Sequence, residues 1–154
     1  MKITHLLVPT DFSPFSDLAI KQGVFFSLSF EAKMTLLHVL TMSEVNALTS
    51  QPGNPWEDVV SQIRNTMREE YYDSLEESQQ GKEIPVPAME VAVGEPAEEI
   101  TRFAEENGVD HLVMGTHGRT GLASIFLGSV AIDVIKNTCI PVTVVKCPEY
   151  LKQE

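Results

Sequence analysis

Five short apolar runs set the limits on how this chain can fold, because segments with helical spacing separate them. The runs are Ile3–Val8, Met34–Leu40, Pro87–Val93, His111–Met114 and Pro141–Lys146. Each has the length and apolar content of a buried strand. Between the first two, Phe15, Leu18, Ala19, Gln22 and Phe26 recur at helical spacing behind a Ser13 N-cap and Pro14 at the first helical position. A second helix opens at Asn54-Pro55-Trp56-Glu57, where Asn-x-x-Glu spacing suits a cap. It carries Trp56, Val59, Val60, Ile63, Met67, Tyr71 and Leu75 on one face to about Gln80, where Gly81 stops it. Ala97, Ile100, Phe103 and Ala104 form the stripe of a third helix, from Glu95-Pro96 to Asn107-Gly108. Ser129 to Lys136 forms the fourth. Residues Thr41 to Asn54 lose the pattern and read as a long loop, with room for a short helical piece around Val45–Leu48.

The order β-α-β-α-β-α-β-α-β, with strands apolar enough to be covered on both faces, predicts the α/β class. The expected architecture is a single open, doubly wound, five-stranded parallel sheet of Rossmann-like type, with helices on both faces. A length of 154 residues suits one domain, 1–154, ending in a loose tail over 147–154. The last strand has no following helix, so it should lie at an edge of the sheet. Val142, Val144 and Val145 make that edge apolar, and strand 141–146 is expected to pair with its copy in a homodimer.

The chemistry gathers after the fourth strand. Met114-Gly115-Thr116-His117-Gly118-Arg119-Thr120-Gly121 leads on through Leu127-Gly128-Ser129-Val130-Ala131 into the last helix. Strand, glycine loop and helix N-terminus in that order suit an anion: glycines let the backbone approach, and the helix adds unpaired N–H groups and its positive dipole end. Ser129 adds a hydroxyl donor and Arg119 a guanidinium. A surface loop with glycines needed only for turning would share the three glycines, but not the whole arrangement. The spacing Gly115-x2-Gly118-x9-Gly128-Ser129 is neither a Walker A loop nor the Gly-x-Gly-x-x-Gly fingerprint. In open sheets of this kind ligands sit beyond the carboxyl ends of the strands, where the strand order reverses. The Pro9-Thr10-Asp11 turn, Val39 and the glycine loop all fall on that edge.

Acidic residues number 22 against 11 basic ones, for a net charge of −11, which argues against nucleic acid as a partner. No run approaches a membrane span, and the first residues lack a signal peptide's apolar region, so a cytoplasmic protein is expected. Cys139 and Cys147 follow no metal or redox pattern and read as reduced structural thiols. His5, His38 and His111 read as structural histidines, and the Glu69-Glu70 and Glu76-Glu77 pairs as solvated helix face. Asp11 suits a ribose hydroxyl or Mg²⁺, and also suits a helix-capping turn. His117 can donate to a phosphate or simply occupy the loop.

The segments Leu7-Val8-Pro9-Thr10-Asp11-Phe12-Ser13, Leu37-His38-Val39, Val113 to Arg119 and Pro141 to Val145, with the glycine spacing, resemble the universal stress protein family. The resemblance is to its ATP-binding branch, whose fold is adenine nucleotide alpha hydrolase-like, and it covers nearly the whole chain apart from residues 41–54. It implies that Pro9, Thr10 and Asp11 line the adenine and ribose side, with Val39 against the base. Met114, Gly115, His117, Gly118 and Arg119 would hold the ribose and phosphates, and Gly128, Ser129 and Val130 the distal phosphates. The expected function is a stress-response sensor or regulator that binds ATP, or AMP or ADP, and acts through a protein partner. The rivals are a slow Mg²⁺-dependent ATP hydrolase and a dimeric scaffold with a vestigial pocket. With Asp11 as the one carboxylate near the site, binding is favoured over turnover.

Overall fold

The computed structural model describes residues 2–75, 83–116 and 127–146. Among them the chain runs β1 (His5–Pro9), α1 (Pro14–Phe30), β2 (Lys33–Leu40), α2 (Met42–Thr49), α3 (Trp56–Asp73), β3 (Ala88–Val93), α4 (Pro96–Glu106), β4 (His111–Gly115), α5 (Ser129–Asn137) and β5 (Val142–Val145). The five strands form one parallel sheet in the order β3-β2-β1-β4-β5. The expected doubly wound α/β fold is therefore what this chain adopts, with β5 at an edge.

Strand periodicity divides the core. Leu6, Val8, Met34, Leu36 and Val113 point to one face, where Ala19, Ile20 and Val24 of α1 and Met67 and Tyr71 of α3 cover them. Leu7, Leu37, Val39, Leu112 and Met114 point to the other, under Ile100 and Ala104 of α4 and Ala131 and Val134 of α5. The central strand β1 is fully enclosed at Leu6, Leu7 and Val8, as a parallel strand covered on both faces must be. The edge strands are less enclosed: every residue of β5 is only half-buried.

Several local expectations need correcting. Residues 41–54 are not mainly loop, because α2 occupies Met42–Thr49. Its signal was a capping box: Thr41 Oγ1 accepts from the Glu44 N–H at 3.2 Å, and Glu44 Oε2 accepts from the Thr41 N–H at 2.8 Å. No residue of α2 is buried, so it carries no apolar period to read. The Asn54-x-x-Glu57 cap does not form. Pro55 is the N-cap of α3, without a side-chain cap, and Asn54 Nδ2 donates instead to Leu48 O at 2.8 Å. Helix α3 ends at Asp73, well short of Gln80; residues 76–82, including Glu76, Glu77 and Gly81, lie outside the described residues. Cys139 is exposed, so it is no core thiol, while Cys147 and the tail 147–154 lie outside the described residues.

The histidines keep their structural reading. His5 bonds the Thr35 hydroxyl at 2.9 Å and Asn107 O at 3.2 Å, and His38 Nδ1 meets Thr10 O at 2.8 Å. His111 Nε2 bonds the Thr143 hydroxyl at 2.8 Å, tying β4 to the edge strand. Burial holds the imidazoles of His5 and His111 below their ordinary range.

Candidate functional site

The strand order reverses between β1 and β4, since β1 pairs with β2 on one side and β4 on the other. Crossovers leave those two strands toward opposite faces, so a crevice opens at their carboxyl ends. A cavity of about 260 Å³ occupies that place. Pro9, Thr10 and Asp11 reach it from the end of β1, Val39 from β2, Met114 and Gly115 from β4, and Gly128, Ser129 and Val130 from the start of α5. Nine of the residues singled out in the sequence thus line one cavity. His117, Gly118 and Arg119 lie outside the described residues.

The walls differ in chemistry. Leu37, Val39, Pro96, Ile100 and Met114 make an apolar side, while Asp11, Ser16, Thr116 and the α5 N-terminus make a polar one. Helix α5 begins at Gly128, an N-cap with φ −63° and ψ 156° and no side chain bonding the first turn. Its first intrahelical bond runs from Ile132 N to Gly128 O at 3.1 Å. The N–H groups of Ser129, Val130 and Ala131 therefore lack helix acceptors, and all three residues face the cavity. Gly128's own N–H is not among the free donors, because it bonds Thr116 O at 2.6 Å. Of the expected Gly128, Ser129 and Val130, the last two keep N–H groups without helix acceptors, and Ala131 joins them.

Gly115 has a different reason to be glycine from the one its loop suggested. A Cβ there would lie 2.6 Å from Phe15 O and 2.8 Å from Phe15 C, in the first turn of α1. It lets α1 sit hard against the end of β4, so its lack of a side chain serves packing.

Asp11 closes the expected turn and stands at the cavity. One carboxylate oxygen accepts from the Ser13 N–H at 3.1 Å, closing the turn into α1, and the residue also lines the cavity. Ser13 caps α1 by accepting from Ser16 N at 3.3 Å. Between them Phe12 takes a left-handed backbone with φ 62°, uncommon for a bulky residue. Its ring packs on His38 at 4.6 Å between centroids.

Glu70 is the residue that sequence reasoning misplaced. Far from being solvated face, its carboxylate lies 2.8 and 2.7 Å from Thr10 Oγ1 and 3.2 Å from Ser16 Oγ. Burial raises its carboxyl above the ordinary range, against the opposing pull of the Thr10 and Ser16 hydroxyl bonds. A raised carboxyl favours folding while protonated, and that contribution is lost as pH rises through its folded value. The signal was in the spacing: Met67, Glu70, Tyr71 and Ser74 share one helix face, and three of them are buried. Ser16, Pro96, Ile100, Thr116 and Ala131 were also missed as cavity residues; Ile100 was read only as core.

The chain matches the model of the universal stress protein family over residues 2–146. It belongs to that family. It is 35% identical to universal stress protein MJ0577 of Methanocaldococcus jannaschii, across 92% of this chain and 93% of that protein. It is 32% identical to universal stress protein YxiE of Bacillus subtilis, across 92% of this chain and 97% of the other. The solved structure of MJ0577 superposes with a TM-score of 0.77 at 32% identity, covering 97% of this chain and 99% of that one. A universal stress protein solved in complex with cAMP shares the fold at 20% identity and a TM-score of 0.65, covering 95% of this chain and 98% of that one. Another, from Archaeoglobus fulgidus in complex with dAMP, shares it at 19% and 0.58, covering 95% and 100%. Among the described residues, no helix is long and apolar enough to cross a membrane.

Proposed function

We propose that this universal stress protein binds an adenine nucleotide, ATP foremost, in the cavity between β1 and β4. It would act in the cytoplasm as a stress-response regulator, through a protein partner that responds to the bound state. The observation that carries the reading is the α5 N-terminus, which meets a partly apolar cavity with three N–H groups that have no helix acceptor. An apolar slot beside an anion site is what a base joined to phosphates requires. The adenine would lie along Val39, Leu37 and Ile100, the ribose near Asp11, and the phosphates at Ser129 to Ala131. His117, Gly118 and Arg119 complete the phosphate side in this proposal. The cAMP and dAMP complexes of relatives support the ligand class.

The nucleotide would bring Mg²⁺ with it, and Asp11 is the lining carboxylate able to share that ion. Mg²⁺ commonly takes one carboxylate together with phosphate oxygens and water, so a single carboxylate fits. Phosphoryl transfer also needs a placed nucleophile and usually further ligands. Among the described residues no group of three His, Cys, Asp or Glu side chains gathers for a metal. Binding is therefore the stronger reading and hydrolysis the weaker one.

Isothermal calorimetry with ATP, ADP and AMP tests the proposal, alongside identification of any nucleotide that survives purification. ATP is expected to bind, with turnover below ~1 s⁻¹ in multiple-turnover assays with Mg²⁺. Turnover at or above that rate, abolished by Asp11→Asn, would establish the hydrolase instead. No binding of any adenine nucleotide would leave the scaffold reading.

The assembly proposal rests on β5. Among the described residues it pairs only with β4, and it carries Val142, Val144 and Val145, all half-buried. Pairing with a second copy would satisfy that edge and cover the valines. Light scattering should give twice the chain mass, and Val144→Lys should shift the protein to monomer because a charge would be carried into the pairing surface. A wild-type monomer at micromolar concentration would refute the pairing.

A further inference from the structure

We propose that Glu70 is a positioning residue for this site: from α3 it holds the Thr10 hydroxyl, and so fixes the turn that presents Asp11. Its functional half rests on the nucleotide reading above, whereas its geometric half rests on contacts alone. Thr10 is the hub of the turn. Its N–H bonds Leu37 O and its carbonyl accepts from His38 Nδ1, each at 2.8 Å, which anchors its backbone to β2. Its hydroxyl gives its proton toward the Glu70 carboxylate, 2.7 and 2.8 Å away, and accepts the Phe12 N–H at 3.1 Å. Ser16 Oγ stands 3.1 Å from the Thr10 hydroxyl and 3.2 Å from Glu70, so three side chains close a triangle beneath the cavity wall.

The turn needs such a tether. Phe12 sits at φ 62°, a backbone state that persists only where its surroundings over-determine it. Asp11 lies between that residue and Thr10, so its direction into the cavity depends on both. Glu70 orients the acceptor oxygen that bonds the Phe12 amide, because the proton of that hydroxyl points to the carboxylate. The helix bearing Glu70 is held independently: Ser74 Oγ bonds Asp17 Oδ1, and Met67 and Tyr71 are fully enclosed. Removing the carboxylate should therefore loosen the turn rather than detach α3. The neighbours Asp11 and Asp17, the latter paired with Lys21 at 3.1 Å, make this a crowded place for a negative charge. A carboxylate there does little for the core, and its acceptors serve the turn.

The test compares wild type, Glu70→Ala, Glu70→Gln, Thr10→Val and the Glu70→Ala/Thr10→Val double variant, with ATP as the calorimetric probe. Amide exchange in the nucleotide-free proteins gives a second readout. Glu70→Ala should weaken ATP roughly tenfold, the worth of one hydrogen bond to a charged group. Exchange should quicken at the Phe12 and Ser13 amides while the β1 amides stay protected. Glu70→Gln should recover binding to within about threefold of wild type, because its amide oxygen still accepts the Thr10 hydroxyl. Thr10→Val should add little in the Glu70→Ala background, since both changes remove one interaction. Unchanged ATP affinity in Glu70→Ala, or unchanged Phe12 exchange, would overturn the inference. A wild type that binds no ATP would defeat the nucleotide reading and with it the functional half; exchange, which needs no ligand, would still decide the geometric half.

Discussion

Gly128→Asp should leave the protein as stable as wild type, or slightly more so, while weakening ATP about a hundredfold or more. The two effects separate because the N-cap of α5 has two possible clients. For folding alone, aspartate is among the best N-cap residues, and replacing it with glycine usually loses only a few tenths of a kcal/mol. Gly128 already has φ −63° and ψ 156°, which any residue can adopt, so no strain follows. An aspartate there would turn its carboxylate onto the N–H groups of Val130 or Ala131. Those donors face the cavity and lack helix acceptors, and they are the groups offered to phosphate. The new charge would occupy their position and repel the incoming anion. At ~4 Å and an effective dielectric of about 20, such repulsion is on the order of 4 kcal/mol before screening. Gly128→Ser, which caps without charge, should lose only about tenfold. Thermal unfolding and calorimetry on the same samples provide the check; undiminished ATP affinity in Gly128→Asp would move the phosphates away from α5.

The second large effect is expected from Gly115→Ala, and it falls on stability first. The added methyl would meet Phe15 O at 2.6 Å, Phe15 C at 2.8 Å and Phe15 Cβ at 2.9 Å. Two of these are backbone atoms in the first turn of a helix whose length packs on the sheet, so they cannot rotate away. Overpacking of this kind costs about 1–3 kcal/mol. For a chain of this size each kcal/mol lowers Tm by roughly 2–4 °C, so a fall of about 2–12 °C is expected. ATP binding should weaken too, because Phe15 directly precedes Ser16 and follows the Asp11–Ser13 turn. Differential scanning calorimetry decides the matter: a Tm within about 1 °C of wild type would mean that α1 and β4 are not so closely held in solution.

The sheet was legible because its strands are short, apolar and separated by amphipathic helices. His111 to Met114 and Met34 to Leu40 admit few other readings. The cavity was legible because parallel α/β sheets expose their strand ends at one edge; Pro9 and Gly115 end strands and Val39 stands one residue before the end of β2. What escaped was polar and half-buried. Helix α2 buries nothing, so the sequence yielded only a short helical piece around Val45–Leu48, and the capping pair Thr41 and Glu44 that marks its true start went unread. Glu70 was read by its charge and its neighbour Glu69, although its spacing from Met67 and Ser74 placed it inward. Gly115 was read as a loop glycine, since no sequence pattern reveals that Phe15 lies against it. Contacts between distant segments decide such residues, and spacing along one segment does not contain them.

The meeting of Phe15 with Gly115 also orders events in time. Most of the cavity's lining comes from stretches far apart in sequence, Pro9, Thr10, Asp11 and Ser16 on one side and residues 114–116 and 128–131 on the other, with Leu37, Val39, Pro96 and Ile100 completing it. The first strands can pair as soon as β2 leaves the ribosome, but the crevice needs β4 beside β1 and α5 behind it. A nascent chain therefore has no such crevice until α5 has been made. A nucleotide bound there as proposed would recognise only a chain folded through α5, and by mass action it would stabilise that fold by ~2.7 kcal/mol at a hundred times Kd. In a cell whose ATP level falls, newly made copies would lose that late support together with the mature ones.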